Sequence, residues 1–287
     1  MKPVMNYVQM GKGKPLLLIH GLGGSWQSWN TIITQLSVNR KVIALDLPGF
    51  GETPQLESEN TFSSLCTEVT SFIMTHNLQG IDVVGSSMGA RIALELSRRG
   101  GIVGSVVALD PGGFWNRFSK FYFYIVTALS HVLVKLLQPF MKQISESILG
   151  RKILLFLFSY DPKKIAPETM LHEMRDYAKA QSFQKILFDL AFGRTQQGMN
   201  RKQEFPITIV WGKNDRVCFK HQARRAMQLF PKAKLIWLEK CGHFPQWDRP
   251  QETLQIILAA TSHVEDLQHA GIPAFQRTDQ NVNVVRQ

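Results

Sequence analysis

Three side chains in this sequence could together perform nucleophilic chemistry: Ser87, Asp215 and His243. A serine hydroxyl is a weak nucleophile at neutral pH, so it needs a neighbouring base to take its proton and a carboxylate to orient that base. Ser87 sits in Gly85-Ser86-Ser87-Met88-Gly89, a G-x-S-x-G. The strand-like run Ile81, Val83, Val84 precedes it, and a helical pattern through Ala93, Leu94 and Leu96 follows. Strand, sharp turn and helix would hold the hydroxyl exposed above a sheet edge. Gly85 and Gly89 have no Cβ, so strand and helix can approach closely, and the N–H of Met88 is left at a helix N-terminus facing the serine.

Asp215 follows the apolar run Ile207–Trp211 in Gly-Lys-Asn-Asp-Arg, and His243 follows Lys234–Leu238 in Cys-Gly-His-Phe. Both residues therefore leave the carboxyl end of a strand. In a parallel sheet such ends share one rim, so Ser87 and Asp215 can converge although 128 positions separate them. The chain order Ser, Asp, His is the order of nucleophile-elbow hydrolases, unlike those of the other serine-protease architectures.

These loops must be carried by strands and helices. Tyr7–Met10 and Leu16–His20 read as a hairpin across Gly11-Lys12-Gly13-Lys14-Pro15. His20-Gly21-Leu22-Gly23-Gly24 then gives a sharply turning loop, Trp29 to Leu36 a helix, Lys41–Leu45 a buried strand, and Asp46-Leu47-Pro48-Gly49-Phe50-Gly51 a second structured loop. Ser63–His76 has helical spacing with Thr61 as N-cap, and Val103–Leu109 is again wholly apolar but for Gly104 and Ser105. Helices are expected over Phe219–Phe230 and Thr253–Ala260 as well. Continuous apolar strands alternating with helices predict a mostly parallel sheet covered on both faces. From Phe114 to about Glu204 the alternation gives way to helical, aromatic-rich sequence. The expected organisation is a core over 1–113 and 205–262, a helical cap over 114–204, and a loose tail over 263–287.

Five motifs stand in order: HGLGG at 20–24, DLPGFG at 46–51, GSSMGA at 85–90, WGKNDR at 211–216 and CGHFPQWDRP at 241–250. Through them the chain resembles an α/β-hydrolase fold enzyme with a cap, over nearly all of residues 7 to 260. The resemblance implies Ser87 as nucleophile, His243 as general base and acid, and Asp215 as the residue that orients the imidazole. It also implies the backbone N–H groups of Leu22 and Met88 as the oxyanion hole. Relatives that open epoxides or displace halide carry Asp where this chain has Ser87, which points to acyl chemistry and to no metal or organic cofactor. The family often has a proline two or three residues past the acid; here Val217 and Cys218 stand there. GSSMGA and CGHFPQW are also similar to hydrolases that cleave carbon–carbon bonds in ring-fission products, although those commonly have Trp where this chain has Phe244. The favoured expectation is hydrolysis of a carboxylic ester with an apolar acyl or alcohol group. The alternatives are carbon–carbon hydrolysis of a vinylogous diketone and a non-catalytic small-molecule receptor on the same fold.

Other residues read more plainly. His20 is expected to hydrogen-bond within its loop, Asp46 to hold a turn, Cys218 and Cys241 to pack as small apolar groups, and Arg91 to lie at the surface or in a salt bridge. Three cysteines without C-x-x-C spacing suggest neither a disulfide framework nor a zinc site, and the first strand is not preceded by a run long enough for a signal peptide. A cytoplasmic protein is the expectation. The formal charge of +11 is concentrated in the cap, where 114–204 holds 14 Lys and Arg against 7 Asp and Glu. Nothing resembles a groove-reading helix or a base-stacking platform, so nucleic acid is not the expected partner. Residues 121–137 are apolar except for a stripe of Thr127, His131 and Lys135, too short and too polar for a membrane span. A basic, aromatic cap is suited to peripheral contact with an anionic membrane; the plainer reading is a buried cap helix ringed by solvated lysines.

Overall fold

The computed structural model describes residues 4–199, 203 and 205–262, so the expected loose tail lies outside the described residues. Seven strands form one sheet: β1 (Tyr7–Met10), β2 (Pro15–Ile19), β3 (Lys41–Leu45), β4 (Ile81–Ser86), β5 (Val103–Leu109), β6 (Ile207–Gly212) and β7 (Lys234–Leu238), in the order β1-β3-β2-β4-β5-β6-β7. Every neighbouring pair is parallel except β1 with β3. The hairpin expected of the first two strands does not form, because β3 lies between them. The four residues Leu16–Ile19 are fully buried and demand a central place with neighbours on both sides, whereas β1 is alternately exposed and half-buried, as an edge strand should be.

Successive side chains along the central strands feed two cores. Leu17, Ile19 and Val83 join one with the helices α2 (Phe62–Thr75) and α3 (Met88–Arg99); Leu16, Leu18 and Val84 join the other with α1 (Ile33–Asn39) and α11 (Pro250–Thr261). Thr61 caps α2 as expected, in a reciprocal box with Ser64. The helix expected from Trp29 is instead a 3₁₀ turn, Trp26–Trp29, with α1 beginning only at Ile33. The one expected from Phe219 is shortened to α9 (Gln222–Leu229), and a short helix, α10 (Pro245–Asp248), precedes α11.

At the amino ends of β2, β3 and β4 a buried guanidinium gathers the chain. Arg40 donates to the carbonyls of Lys14 and Pro15 at 3.0 Å, to Asp82 at 2.7 Å, and to the hydroxyl and carbonyl of Thr261 at 2.6 and 3.1 Å. Asp82 also accepts from Lys14 and from the N–H of Ser105. A buried charge set with this many partners avoids the cost of an unpaired one.

Between β5 and β6 the chain makes five α-helices: α4 (Arg117–Leu136), α5 (Met141–Glu146), α6 (Ile148–Leu154), α7 (Pro167–Lys179) and α8 (Phe183–Phe192). In the first, Thr127 and His131 of the polar stripe are buried while Lys135 is exposed, and His131 stacks on Phe183 with ring centroids 3.9 Å apart. Burial, with Lys135 nearby, pushes the His131 imidazole down to about 4, so it packs as a neutral ring.

Candidate active site

Ser87 ends the nucleophile strand at φ 54° and ψ −110°, a conformation costly for any residue with a side chain. The flanking glycines make the turn sterically feasible. A Cβ on Gly85 would meet the carbonyl oxygen of Gly89 at 2.2 Å, and one on Gly89 would meet that of Ile19 at 2.1 Å. The N–H of Ser87 donates to the carbonyl of Leu109 at 2.9 Å, pinning the turn to the neighbouring strand.

Ser87, His243 and Asp215 are brought together. Ser87 Oγ lies 2.8 Å from His243 Nε2, and His243 Nδ1 lies 2.8 Å from Asp215 Oδ2. The other oxygen of Asp215 accepts the N–H groups of Val217 at 2.7 Å and Cys218 at 2.9 Å. The departure from the proline-bearing pattern is thereby explained: both residues after Arg216 serve as donors, and a proline at either place would remove one. Asp215 and His243 are buried, and Ser87 keeps about 9% of its surface exposed. Leu22 follows Gly21, whose backbone abuts Ser87 so closely that a Cβ there would stand 3.3 Å from the serine Cβ. Among the described residues no backbone hydrogen bond of the loops uses the N–H of Leu22 or of Met88, and Met88 as first residue of α3 has no acceptor inside the helix.

His20 takes the loop role expected of it. Leu47 N–H donates to its Nε2 at 3.0 Å, which leaves the proton on Nδ1, donated to the Gly21 carbonyl at 2.7 Å. The ring thus couples the loop carrying Leu22 to the one after β3, where Asp46 accepts the N–H groups of Trp26 and Glu52. Burial lowers the affinity of His20 for a second proton. Cys218 and Cys241 are buried free thiols pushed up by that burial, in keeping with a packing role. Arg91 contradicts its expected surface place. It is buried under Gly113, its guanidinium lies 3.9 Å from the Phe62 ring centroid and donates to the Arg194 carbonyl, and desolvation lowers it to about 10. The face of α3 that carries Arg91 is covered by the segment leaving the inserted helices, which a local pattern does not reveal.

Two carboxyls near the site escaped the sequence reading. Asp110, the residue after β5, has φ 44° and is fully buried; its Oδ1 accepts the Gly212 N–H at 2.8 Å. Burial first, and then the adjoining Asp215 carboxylate, push Asp110 well above the usual carboxylate range. The same strand-end argument that located Asp215 would have found it. Glu173 on α7 is buried, accepts the Ser28 hydroxyl at 3.1 Å through Oε2, and is pushed up to about 8 by burial, with Asp176 adding to the shift. Glu173 lines a small, mostly apolar cavity of about 30 Å³ beside the serine, with Leu22, Phe158, Met174, Tyr177 and Phe244 among its walls.

Residues 16–256 match the family described as the alpha/beta hydrolase family. Over 277 residues the chain is 26% identical to a 2-hydroxy-6-oxo-6-(2'-aminophenyl)hexa-2,4-dienoic acid hydrolase of Metapseudomonas resinovorans, covering 92% of this chain and 89% of that one. It is also 26% identical to Lipase 1 of Psychrobacter immobilis, over 91% of this chain and 81% of the relative. A thermophilic esterase from Thermogutta terrifontis shares the fold with a TM-score of 0.69 at 17% identity, covering 89% of this chain and 92% of that structure.

Proposed function

The chain belongs to the alpha/beta hydrolase family, and from that premise we propose that it is a serine hydrolase cleaving a carboxylic ester with an apolar acyl or alcohol group. The observation that carries the reading is the unbroken line Asp215, His243, Ser87, with both links at 2.8 Å, beside an apolar cavity. Ser87 Oγ attacks the ester carbonyl as His243 Nε2 takes its proton. The N–H groups of Leu22 and Met88 receive the developing oxyanion, and Asp215 stabilises the imidazolium. His243 returns the proton to the leaving alcohol. Water, deprotonated by the same nitrogen, then releases the acid from the acyl-enzyme.

The helices between β5 and β6 act as the cap. A cavity of about 30 Å³ is small beside the roughly 300–1,000 Å³ of an ordinary ligand pocket, so substrate enters as cap side chains such as Met174 and Tyr177 give way. A second reading is favoured by the ring-fission hydrolase relative: the same three residues can cleave a carbon–carbon bond in a vinylogous diketone.

The test is hydrolysis of p-nitrophenyl esters of increasing acyl length by wild type and Ser87→Ala, with a ring-fission diketone in parallel. Turnover that rises with acyl length and falls about 10⁴-fold or more in Ser87→Ala is expected. Turnover of the diketone alone would establish the second reading. No turnover of either class would favour a receptor.

A further inference from the structure

Helix α4 is built inside out. Its outward stripe is Phe118, Phe121, Ile125, Leu129, Val132 and Leu136, each at least half exposed, while Thr127 and His131 turn inward. At 100° per residue these six fall within about 80° of arc, so they form one continuous apolar face. A helix on a water-facing surface shows the opposite distribution, and an exposed apolar patch of this length marks an interaction site. A second set follows the bend after α4, where Ile148, Leu149, Ile153 and Phe156 are all exposed.

The charge around the stripe identifies what covers it. No acidic residue occurs between Asp110 and Glu146. Arg117 and Lys135 are exposed on α4, and Lys142 and Lys152 are exposed on the helices after it. Two copies of this chain meeting through the face would bring these cations together, whereas an anionic lipid surface neutralises them and accepts the apolar side chains below its headgroups. No single helix among the described residues is long and apolar enough to cross a membrane; α4 together with Gln138–Glu146 passes that test by length and composition, but the pair is bent by 62° and the inner face of α4 is packed on the fold through Phe123 and Val134. The packed inner face leaves α4 to meet a bilayer lying flat.

We propose that the α4 face, extended by the exposed apolar residues of α6, docks this protein on anionic membrane surfaces, with α4 parallel to the bilayer plane. The docked helix roofs the site. Its Thr127 carbonyl accepts the Tyr177 hydroxyl of the cavity wall, and Tyr122 near its amino end lies against Phe219, just past the Asp215 loop. Docking therefore sets the cavity wall one helix away from the lipid phase. The inference concerns binding alone and stands whether or not Ser87 hydrolyses esters.

The test is co-sedimentation of the full chain with phosphatidylcholine vesicles containing or lacking phosphatidylglycerol, at low and high salt. The expected result is at least about tenfold stronger binding to the anionic vesicles, weakened by salt. The variant Phe121→Ser/Leu129→Ser/Leu136→Ser should lose binding while keeping its circular dichroism spectrum, and Arg117→Gln/Lys135→Gln should lose the preference for anionic lipid. The charge variant, which leaves the apolar packing of α4 untouched, supplies an independent arm. Equal or negligible binding to both vesicles would overturn the proposal. So would a concentration-dependent dimer, seen by sedimentation velocity, that the serine variant abolishes while vesicle binding is absent throughout.

Discussion

The backbone N–H of His243 donates to the carbonyl of Phe158 at 2.8 Å, so the loop that brings the imidazole to Ser87 is fastened to the inserted helices as well as to the sheet. Asp248 tightens the junction: its carboxylate accepts the Ser159 hydroxyl at 2.5 Å and the N–H groups of Tyr160 at 2.8 Å and Gly242 at 2.6 Å. Placement of the base and closure of the cavity are thus one mechanical unit.

Asp248→Asn should loosen that unit, because an amide nitrogen cannot accept the Tyr160 and Gly242 donors. Asp248 is a positioning residue, so kcat should fall about tenfold with little change in KM, and labelling of Ser87 by a fluorophosphonate should slow in parallel. A melting temperature that drops with unaltered labelling would mean that the junction is structural only.

If Asp110 holds a proton donated to Asp215, then Asp110→Asn replaces one donor by another and should keep activity within about threefold at pH 7. Asp110→Leu leaves that side of Asp215 without a donor and the Gly212 N–H without its acceptor, and should cost about tenfold or more. Equal losses in the two variants would argue against the shared proton.

Glu173 makes stability depend on pH. Burial raises it from an ordinary 4.5 to about 8, so between those values the folded chain binds more protons than the unfolded one. Its contribution is intact at acid pH and is lost as pH rises through about 8. Glu173→Gln should melt like wild type near pH 4 and several degrees higher near pH 9, read by scanning calorimetry across that range.

Gly89→Ala is expected to prevent the elbow from closing, since the added methyl would meet the carbonyl oxygens of Ile19 at 2.1 Å and His20 at 2.6 Å. These are backbone atoms of the central strand and the loop that follows it, with nowhere to move. Loss of soluble protein, or a melting temperature lowered by 10 °C or so, should accompany loss of activity. By contrast Gly101→Ala has open space around its Cβ and should cost only the strain of its positive φ, about 1–2 kcal/mol, with the fold kept.

The strand-end loops are legible in the sequence because each is announced locally, by a largely apolar run that gives way to polar residues with a glycine nearby. Val103–Leu109 and Lys234–Leu238 form strands with those very ends, and Thr61 caps α2 as its spacing says. What a local pattern cannot carry is the identity of a neighbour. The segment Tyr7–Met10 pairs with β3 rather than with the strand next in sequence, because the buried run Leu16–Ile19 needs partners on both sides. The periodicity of α4 separates two faces without saying which is covered, since only the position of Tyr177 and Phe183 decides that His131 turns inward. Glu173 looks like an ordinary charge on an amphipathic helix until the cavity it borders is seen.

The knot around Arg40 stands at the amino ends of β2, β3 and β4, and Ser87 at the carboxyl end of β4. One strand's length therefore separates what clasps the first strands to the final helix from the rim that carries Ser87. In evolutionary terms the two ends can drift apart. A lineage can rewrite the inserted helices above that rim while the guanidinium continues to clasp Lys14, Asp82 and Thr261, so change at the rim does not reach the sheet that supports it.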